Sequence, residues 1–547
     1  MGDFCSYVVG YAKSYNDQSV KKMVGEMGLE LSYDKQLKGK NGYKVYQTDA
    51  NGYALVDGTL REKDPTNGND LYLTIDSGLQ RNLDYLMSNA YSESGAEVVT
   101  AGVMEIKTGK ILAMSTYPSF NPNERNISTF NNYFLEGTIE CGSVFKPFIY
   151  ADSIEEGKYD HNAYYNSGSY NVYYGNKLVA TIKDHNGGQG WGTITYDQGL
   201  YHSSNVAICN LLDQGYVTKD VLTEKLNDLG FFQGDTMDGL TCSSSINAYT
   251  RKNAGRLEYL TTGFGQGSTV TPYQLLKAYS VFGNDGKTVQ PHIVDKVVNP
   301  ETNKVVYQAT PKYSKQIFST NTISQVKDLM LGVIEDEQGT GKTYRLDNDV
   351  RMIGKTGTGQ VVENGGYSTT LYMHSFVGIA PYDDPQVVMF LTFKSGDSYA
   401  QYMPNIVKQT MNEALQVVNR YNAKNTTAVD QSCTLDSYTN QSVNYVKSKL
   451  ESKSLSVQII GNGSSVIEQY PLAKSKVTSG DKVFIKTEGK DITLPNLIGW
   501  SKKEVQTYAS LAGIQLTIDG TSGHVTAQSV GENTVVHSGD SLTVAIS

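Results

Sequence analysis

Between Val98 and Ser115 the chain reads as two apolar runs, Val98–Ile106 and Ile111–Ser115, split by Lys107-Thr108-Gly109-Lys110. That is the pattern of a β-hairpin closed by a polar turn. A helix-rich middle comes next, in which Ser203 opens a helical spacing carried by Val206, Ile208, Leu211 and Leu212. Val350-Arg351-Met352-Ile353 reads as a strand leading into the Gly-rich edge Gly354-Lys355-Thr356-Gly357, where a ligand backbone can approach closely. Ser375–Ile379 and the apolar run Val387–Phe393 predict two more strands, and Asn405–Tyr421 a helix. Helices gathered around and beside an antiparallel sheet give an α+β class. In the first 62 residues only Tyr43, Val45 and Tyr53 stand out as strand residues, so this segment has little core of its own and is expected to lean on the next domain. The polar run Arg61–Asp70, with Pro65 and Gly68, reads as a linker.

The tail repeats itself. Val457 and Leu516, Ile459 and Ile518, Gly461 and Gly520, Gln469 and Gln528, and Gly480-Asp481 and Gly539-Asp540 share one offset of 59 residues. Each unit shows a helical stretch followed by short strands, the mark of two copies of one small module.

Length and charge narrow the functions. At 547 residues, three or four domains are expected. A net charge of -9 argues against a nucleic-acid partner, whose phosphates need a basic face. Only 19% of residues are charged, while Tyr (39) and Gly (53) are abundant, which suits an extracellular surface. The five cysteines, Cys5, Cys141, Cys209, Cys242 and Cys433, are too few and scattered for a disulfide framework, and the isolated histidines predict no metal site. No run of about 18 apolar residues is present, and nothing at the N-terminus resembles a signal peptide.

The chemistry concentrates in three short motifs. Ser143-Val144-Phe145-Lys146 places a serine and a lysine three positions apart, on one helix face if the stretch is helical. A serine hydroxyl is a weak nucleophile, and a lysine at its usual pKa of about 10.4 cannot take its proton. Burial beside a second cation would push the amine towards neutrality. Sixty residues beyond Ser143 comes Ser203-Ser204-Asn205, and 150 beyond Asn205 comes Lys355-Thr356-Gly357-Thr358, which supplies that cation. Alone, each motif has an ordinary explanation: a solvated helical lysine, a helix N-cap, a turn. In this order and context they form the signature of penicillin-binding proteins and serine β-lactamases.

The chain therefore resembles a class B penicillin-binding protein, the monofunctional D,D-transpeptidase of peptidoglycan synthesis. The likeness extends to Leu73-Thr74-Ile75-Asp76, Thr108–Met114, Pro118–Asn123, Gly265-Gln266-Gly267 with Thr271-Pro272, and Ser375–Pro381. The family has Glu-Pro-Gly-Ser before the nucleophile where this chain has Glu140-Cys141-Gly142-Ser143. Leu494–Trp500 with Gln528-Ser529 resembles a PASTA domain, and the first copy lacks the Pro-Asn-Leu-Ile-Gly opening. The resemblance implies a partial N-terminal pedestal over 1–62, a transpeptidase domain over 63–425, and PASTA modules over 430–489 and 490–547.

It further implies that Ser143 is the nucleophile and Lys146 its base. Ser203 would relay a proton, Asn205 would bind the substrate backbone and steady Lys146, and Lys355 would supply the positive field. Thr356, Gly357 and Thr358 would line the substrate's place, with an oxyanion hole from the backbone N–H groups of Ser143 and Thr358. No cofactor is expected. Expected partners are peptidoglycan stem peptides, β-lactam antibiotics and a membrane glycosyltransferase of Gram-positive cell-wall and division machinery. The family is held at the extracytoplasmic face of the membrane by an N-terminal helix. None is present here, so a truncated chain, itself soluble, is expected. A D,D-carboxypeptidase, a β-lactamase or a non-catalytic wall-binding sensor remain alternatives. The β-lactamase would need a base such as Glu224, which falls in a helical run; His202 reads as a surface or packing histidine and Cys141 as a small loop residue rather than chemistry.

Overall fold

The computed structural model describes residues 3–17, 20–51, 53–346, 350–363, 365–425, 432–451, 453, 455–478, 481–520 and 524–546. Residues 426–431 and Gly480 of the repeat lie outside the described residues. Two compact units are present, Gly2–Leu415 and Gln416–Ser547.

The larger unit is built on one five-stranded antiparallel sheet. Helix α1 (Ser77–Ser94) precedes the hairpin β1 (Val98–Glu105) and β2 (Ile111–Tyr117). Then come α2 (Lys146–Glu155), a second hairpin β3 (Ser169–Tyr174) and β4 (Lys177–Lys183), α3 (Asn205–Asp213), α4 (Arg256–Thr262), α5 (Pro272–Tyr279) and α6 (Thr320–Glu335). Strands β5 (Ile353–Glu363), β6 (Gly366–Ala380) and β7 (Val387–Ser395) and the first half of helix α7 (Met403–Asn425) complete it. The strand order is β5-β6-β7-β1-β2, which leaves β5 at an edge. β2 is buried at every position and β1 and β7 at nearly every one, so helices must cover both faces. Hydroxyls inside the sheet meet in pairs, Thr100 with Thr116 at 2.7 Å and Ser375 with Thr392 at 2.9 Å.

The N-terminal segment shares this unit's core. Val8 and Leu29 belong to the same buried cluster as Met104, Ile111 and Val144. Tyr7 packs edge-on against Phe120 at 5.0 Å and donates its hydroxyl hydrogen to Pro118 O at 3.0 Å. Two details differ from the pattern of polar and apolar residues. Tyr53 is not a strand residue: the strands are Tyr43–Thr48 and Ala54–Lys63, and Tyr53 closes the loop between them, its N–H donating to Asp49 Oδ1 at 2.9 Å. The polar run 61–70 is strand at both ends, through Lys63 and from Asp70. Backbone pairing asks nothing of side-chain polarity, and here Lys44 and Glu62 form a cross-strand ion pair at 3.1 Å.

The smaller unit holds two modules of one design. The first has α8 (Val443–Glu451) and strands β8 (Ser456–Ile460), β9 (Val466–Tyr470) and β10 (Lys482–Thr487). The second has α9 (Lys502–Ala512), β11 (Gln515–Asp519), β12 (Val525–Gln528) and β13 (Ser541–Ile546). In each, the last strand pairs parallel with the first and antiparallel with the second. The repeat has a physical cause in its glutamine. Gln469 Oε1 accepts from Tyr438 N and Gln528 Oε1 from Leu497 N, both at 2.7 Å; their Nε2 groups donate to Pro471 O and Val530 O. Donor and acceptor positions are all 59 residues apart, so one amide clasps the same loop in both copies. The two modules share apolar packing: Phe484 meets Trp500 edge-on at 5.8 Å, and Lys482 Nζ lies 3.7 Å from the Trp500 ring while pairing with Glu504 at 3.2 Å.

Among the described residues no helix is long and apolar enough to cross a membrane.

Replacing Gln469 or Gln528 by Ala strands backbone groups of the clasped loop, which costs about 1–3 kcal/mol. Hydrogen exchange on the full chain should show lost protection in the substituted module. Unchanged protection in both variants would mean the clasp adds nothing.

Candidate active site

The expected Ser–Lys helix is two pieces. Gly142–Phe145 is a 3-10 turn and α2 begins at Lys146, with Pro147 in its first turn, where the missing N–H costs nothing. Cys141, where the resembled family has proline, has φ -78°, a value proline itself would impose. The turn is fixed by its surroundings instead. Gly142 N donates to Gly265 O at 3.0 Å, and the Tyr279 hydroxyl donates to Val144 O. Gly142 has φ +62°, and a Cβ there would stand 2.3 Å from Thr358 O; one on Gly359 would stand 1.7 Å from Glu140 O. Glycines therefore let the turn and β5 touch backbone to backbone, which sets Ser143 beside Thr358.

Ser203 lies between the two motif lysines. Lys355 Nζ donates to Ser203 Oγ at 2.8 Å, and Lys146 Nζ donates to Ser203 O at 2.5 Å and to its Oγ at 3.4 Å. The Lys146 amine thus rests on Ser203 rather than on Ser143. Ser203 holds φ +57°, the left-handed region, and the α-helix begins only at Asn205. For a residue with a Cβ that conformation costs about 1–2 kcal/mol. It places the Ser203 carbonyl and hydroxyl together at the lysines.

Both lysines are 0% exposed. Burial pushes the Lys146 amine down to about 7, against the opposing pull of Asp184. Lys355 is driven well below the usual lysine value by burial first and by Lys146 second. Two ammonium groups at 2.8 and 3.4 Å from one hydroxyl stand no more than about 6 Å apart, and at an effective dielectric near 20 they repel by at least about 3 kcal/mol, or roughly two pKa units. The pair therefore resists holding two charges. His185 is also held low, by burial and then by these lysines.

The groove in front of these groups has a volume of about 1000 Å³. Its wall brings together Ser143, Ser203, Asn205, Thr356, Gly357 and Thr358. Lys146 and Lys355 lie behind, reaching it through Ser203. Asn205 Nδ2 donates to Lys183 O at 2.9 Å, with no hydrogen bond to Lys146 among the described contacts. Three residues here escape sequence reasoning. Thr340, from the loop after α6, accepts from Thr356 Oγ1 at 2.9 Å on the groove wall. Asp184 is 2% exposed and accepts from Ser204 Oγ at 2.9 Å, Asn205 N at 2.7 Å and Val206 N at 3.1 Å, so it anchors the start of α3. His185 stands on the wall beside it. A lone Thr, Asp or His in a polar stretch carries no signal until the chain folds.

His202 is buried and stacked on Trp191 with centroids 4.5 Å apart, a packing role. Cys141 is buried, and burial raises its thiol pKa, so it stays protonated. Glu224 sits on the helix Lys219–Asp228, away from the groove wall.

Residues 99–416 match the family described as penicillin binding protein transpeptidase domain, residues 1–73 the penicillin-binding protein dimerisation domain, and residues 434–489 and 492–547 the PASTA domain. The chain is 30% identical over 510 residues to stage V sporulation protein D of Bacillus subtilis, covering 90% of this chain and 75% of that protein. It is 27% identical over 411 residues to the probable peptidoglycan D,D-transpeptidase PenA of Neisseria flavescens, covering 72% and 94%. Penicillin binding protein 2X of Streptococcus thermophilus has the same fold, with a TM-score of 0.68 at 24% identity over 100% of this chain and 82% of that one.

Ser203→Gly and Ser203→Ala both remove the hydroxyl, but only glycine adopts φ +57° freely. The Gly variant should be more stable than the Ala variant by about 1–2 kcal/mol in urea denaturation, the reverse of the usual order. An Ala variant at least as stable as Gly would show that Ser203 is unstrained.

Proposed function

Since the chain belongs to the penicillin-binding protein transpeptidase family, matched over more than half its length, we propose that it is a peptidoglycan D,D-transpeptidase working through a serine acyl-enzyme. The observation that carries this reading is the Ser203 hydroxyl held by two buried lysine amines on the wall of the groove that Ser143 also lines.

In this mechanism Ser143 Oγ attacks the carbonyl between two terminal D-alanines of a stem peptide. Its proton passes to Lys146, one turn along, whose neutral form is available because burial has lowered its pKa to about 7. The contact from Lys146 to Ser143 is made when the substrate carbonyl enters, as such hydrogen bonds tighten in the reacting complex. Lys355, whose amine donates to Ser203 Oγ at 2.8 Å, holds that hydroxyl between the two amines. Ser203, bonded to both amines, hands a proton to the departing D-alanine amine as the C–N bond breaks. Thr356 and Thr358 on β5, with Thr340 behind Thr356, receive the terminal carboxylate. Backbone N–H groups of Ser143 and Thr358 steady the oxyanion, a term worth about 2.7–4 kcal/mol per donor in such sites. The amine of a second stem peptide then attacks the ester, Ser143 leaves with a proton, and the cross-link forms. A β-lactam enters the same path by opening its amide on Ser143.

Transfer to an amine is favoured over hydrolysis by the carboxylates at hand. Glu224, the base candidate in the sequence, sits on the helix Lys219–Asp228 off the groove wall, and the groove-lining Glu258 has Oε2 tied to Gly255 N at 2.7 Å.

Intact-mass analysis after benzylpenicillin should show one stable adduct, mapped to the peptide containing Ser143 and absent from Ser143→Ala. An adduct retained in Ser143→Ala, or one released within seconds, would overturn the assignment.

The pH dependence has a definite sign. Lys146 must be neutral to act, and its pKa is lowered to about 7. The acylation rate should therefore rise about tenfold per pH unit below 7 and flatten above it. A profile flat between pH 5.5 and 8 would remove Lys146 as the base.

A further inference from the structure

The groove continues past the residues around Ser143. One of its walls is β4, through Ala180, Thr181, Ile182 and Lys183. β4 pairs antiparallel with β3 in the register Lys183 with Ser169, Thr181 with Asn171 and Leu178 with Tyr173. Alternation gives this ribbon two faces. Val172 and Ile182 turn inward at 0% and 8% exposure. Asn171, Tyr173, Leu178 and Thr181 are exposed, Tyr173 at 45% and Leu178 at 48%.

Thr181 is the link between the groove and this outer face. It lines the groove, and its Oγ1 donates to Asn171 Oδ1 at 2.7 Å. The ribbon is also anchored. Tyr170 OH bonds the Asp213 carboxylate and accepts from Arg256 Nη2 at 3.2 Å, and the Tyr174 hydroxyl lies against Gly255. Its outer face is therefore a fixed platform.

The chemistry of that platform is selective. A phenol ring and a branched aliphatic side chain lie directly across the strands from each other, beside a carboxamide and a hydroxyl already hydrogen-bonded together. No carboxylate or guanidinium belongs to the set. A pyranose ring meets these groups well: its C–H face covers an aromatic ring, and an acetamido group exchanges hydrogen bonds with an amide and a hydroxyl. Rigid tyrosines with small polar neighbours serve such adaptable recognition at low entropic cost.

Position favours the same ligand. A stem peptide in the groove is covalently attached to a sugar, and a few extended residues at about 3.3 Å each put that sugar roughly 10–17 Å from the reacting carbonyl. β4 starts at the site, where Asn205 Nδ2 donates to Lys183 O at 2.9 Å, and at about 3.3 Å per residue Thr181 and Leu178 lie roughly 7 and 17 Å further along it.

We propose that the outer face of the β3–β4 hairpin, centred on Asn171 and Tyr173, is a subsite for the acetamido sugar of the glycan strand that carries the stem peptide. The inference rests on the transpeptidase reading of the groove. It makes this chain a reader of the sugar as well as of the peptide.

The test is competition against acylation by benzylpenicillin, with two competitors: a free stem peptide and the same peptide bearing its disaccharide. In the wild-type chain the disaccharide peptide should compete about fivefold or more tightly, roughly 1 kcal/mol. Tyr173→Ala and Asn171→Ala should each reduce that advantage while leaving competition by the free peptide and the acylation rate itself unchanged. Both side chains are exposed, and an unchanged acylation rate certifies the fold. Equal competition by the two ligands in the wild type, or an advantage that survives both substitutions, overturns the subsite while leaving the transpeptidase reading standing. Absence of acylation by benzylpenicillin sinks the functional reading and the subsite with it.

Discussion

Two lysine amines share one serine hydroxyl in a place where water does not reach them. A buried ammonium group is expensive, and two within about 6 Å of each other are more so. The fold accepts that cost, with a partial offset from Asp184, whose carboxylate is buried on the other side of the Ser203–Asn205 turn and favours charge on Lys146. The outcome is a pair that resists carrying two charges, with the Lys146 amine brought down to about 7. Much of the surrounding architecture holds that pair in register.

Each member comes from a different part of the chain. Lys146 is at the start of α2, Lys355 is on the edge strand β5, and Ser203 stands in a left-handed turn ahead of α3. β5 can bring its lysine inward and its threonines to the groove because alternate residues of a strand face opposite ways. Lys355 is buried, whereas Thr356 and Thr358 line the wall. Three backbones then meet at Gly142, Gly265 and Gly359, where a single Cβ would collide with a carbonyl. This contact replaces the local stiffness that a proline at position 141 would bring.

The tail is held together differently. Each module is small, and its loop is held by one glutamine amide rather than by a large core. The clasp persists in the first copy despite the missing Pro-Asn-Leu-Ile-Gly opening, because it depends on one side chain and on backbone groups whose identity hardly matters.

Sequence alone made legible whatever is local or periodic. The triplets at Ser143, Ser203 and Lys355, the hairpin at Val98–Ser115, the apolar strand at Val387 and the 59-residue period all lie within short windows or repeat along the chain. Patterning failed where backbone hydrogen bonds, indifferent to side-chain polarity, extended a strand into the polar run at 61–63, and where Tyr53 went into the loop before it. Tertiary structure alone decided that the Lys146 amine rests on Ser203, that Ser203 is left-handed, and that Asp184 and Thr340 join the site. These facts depend on groups far apart in the chain meeting in a dry interior. A sequence records which charges exist, but only folding determines how far they stand from one another and from water, and those two distances set a pKa.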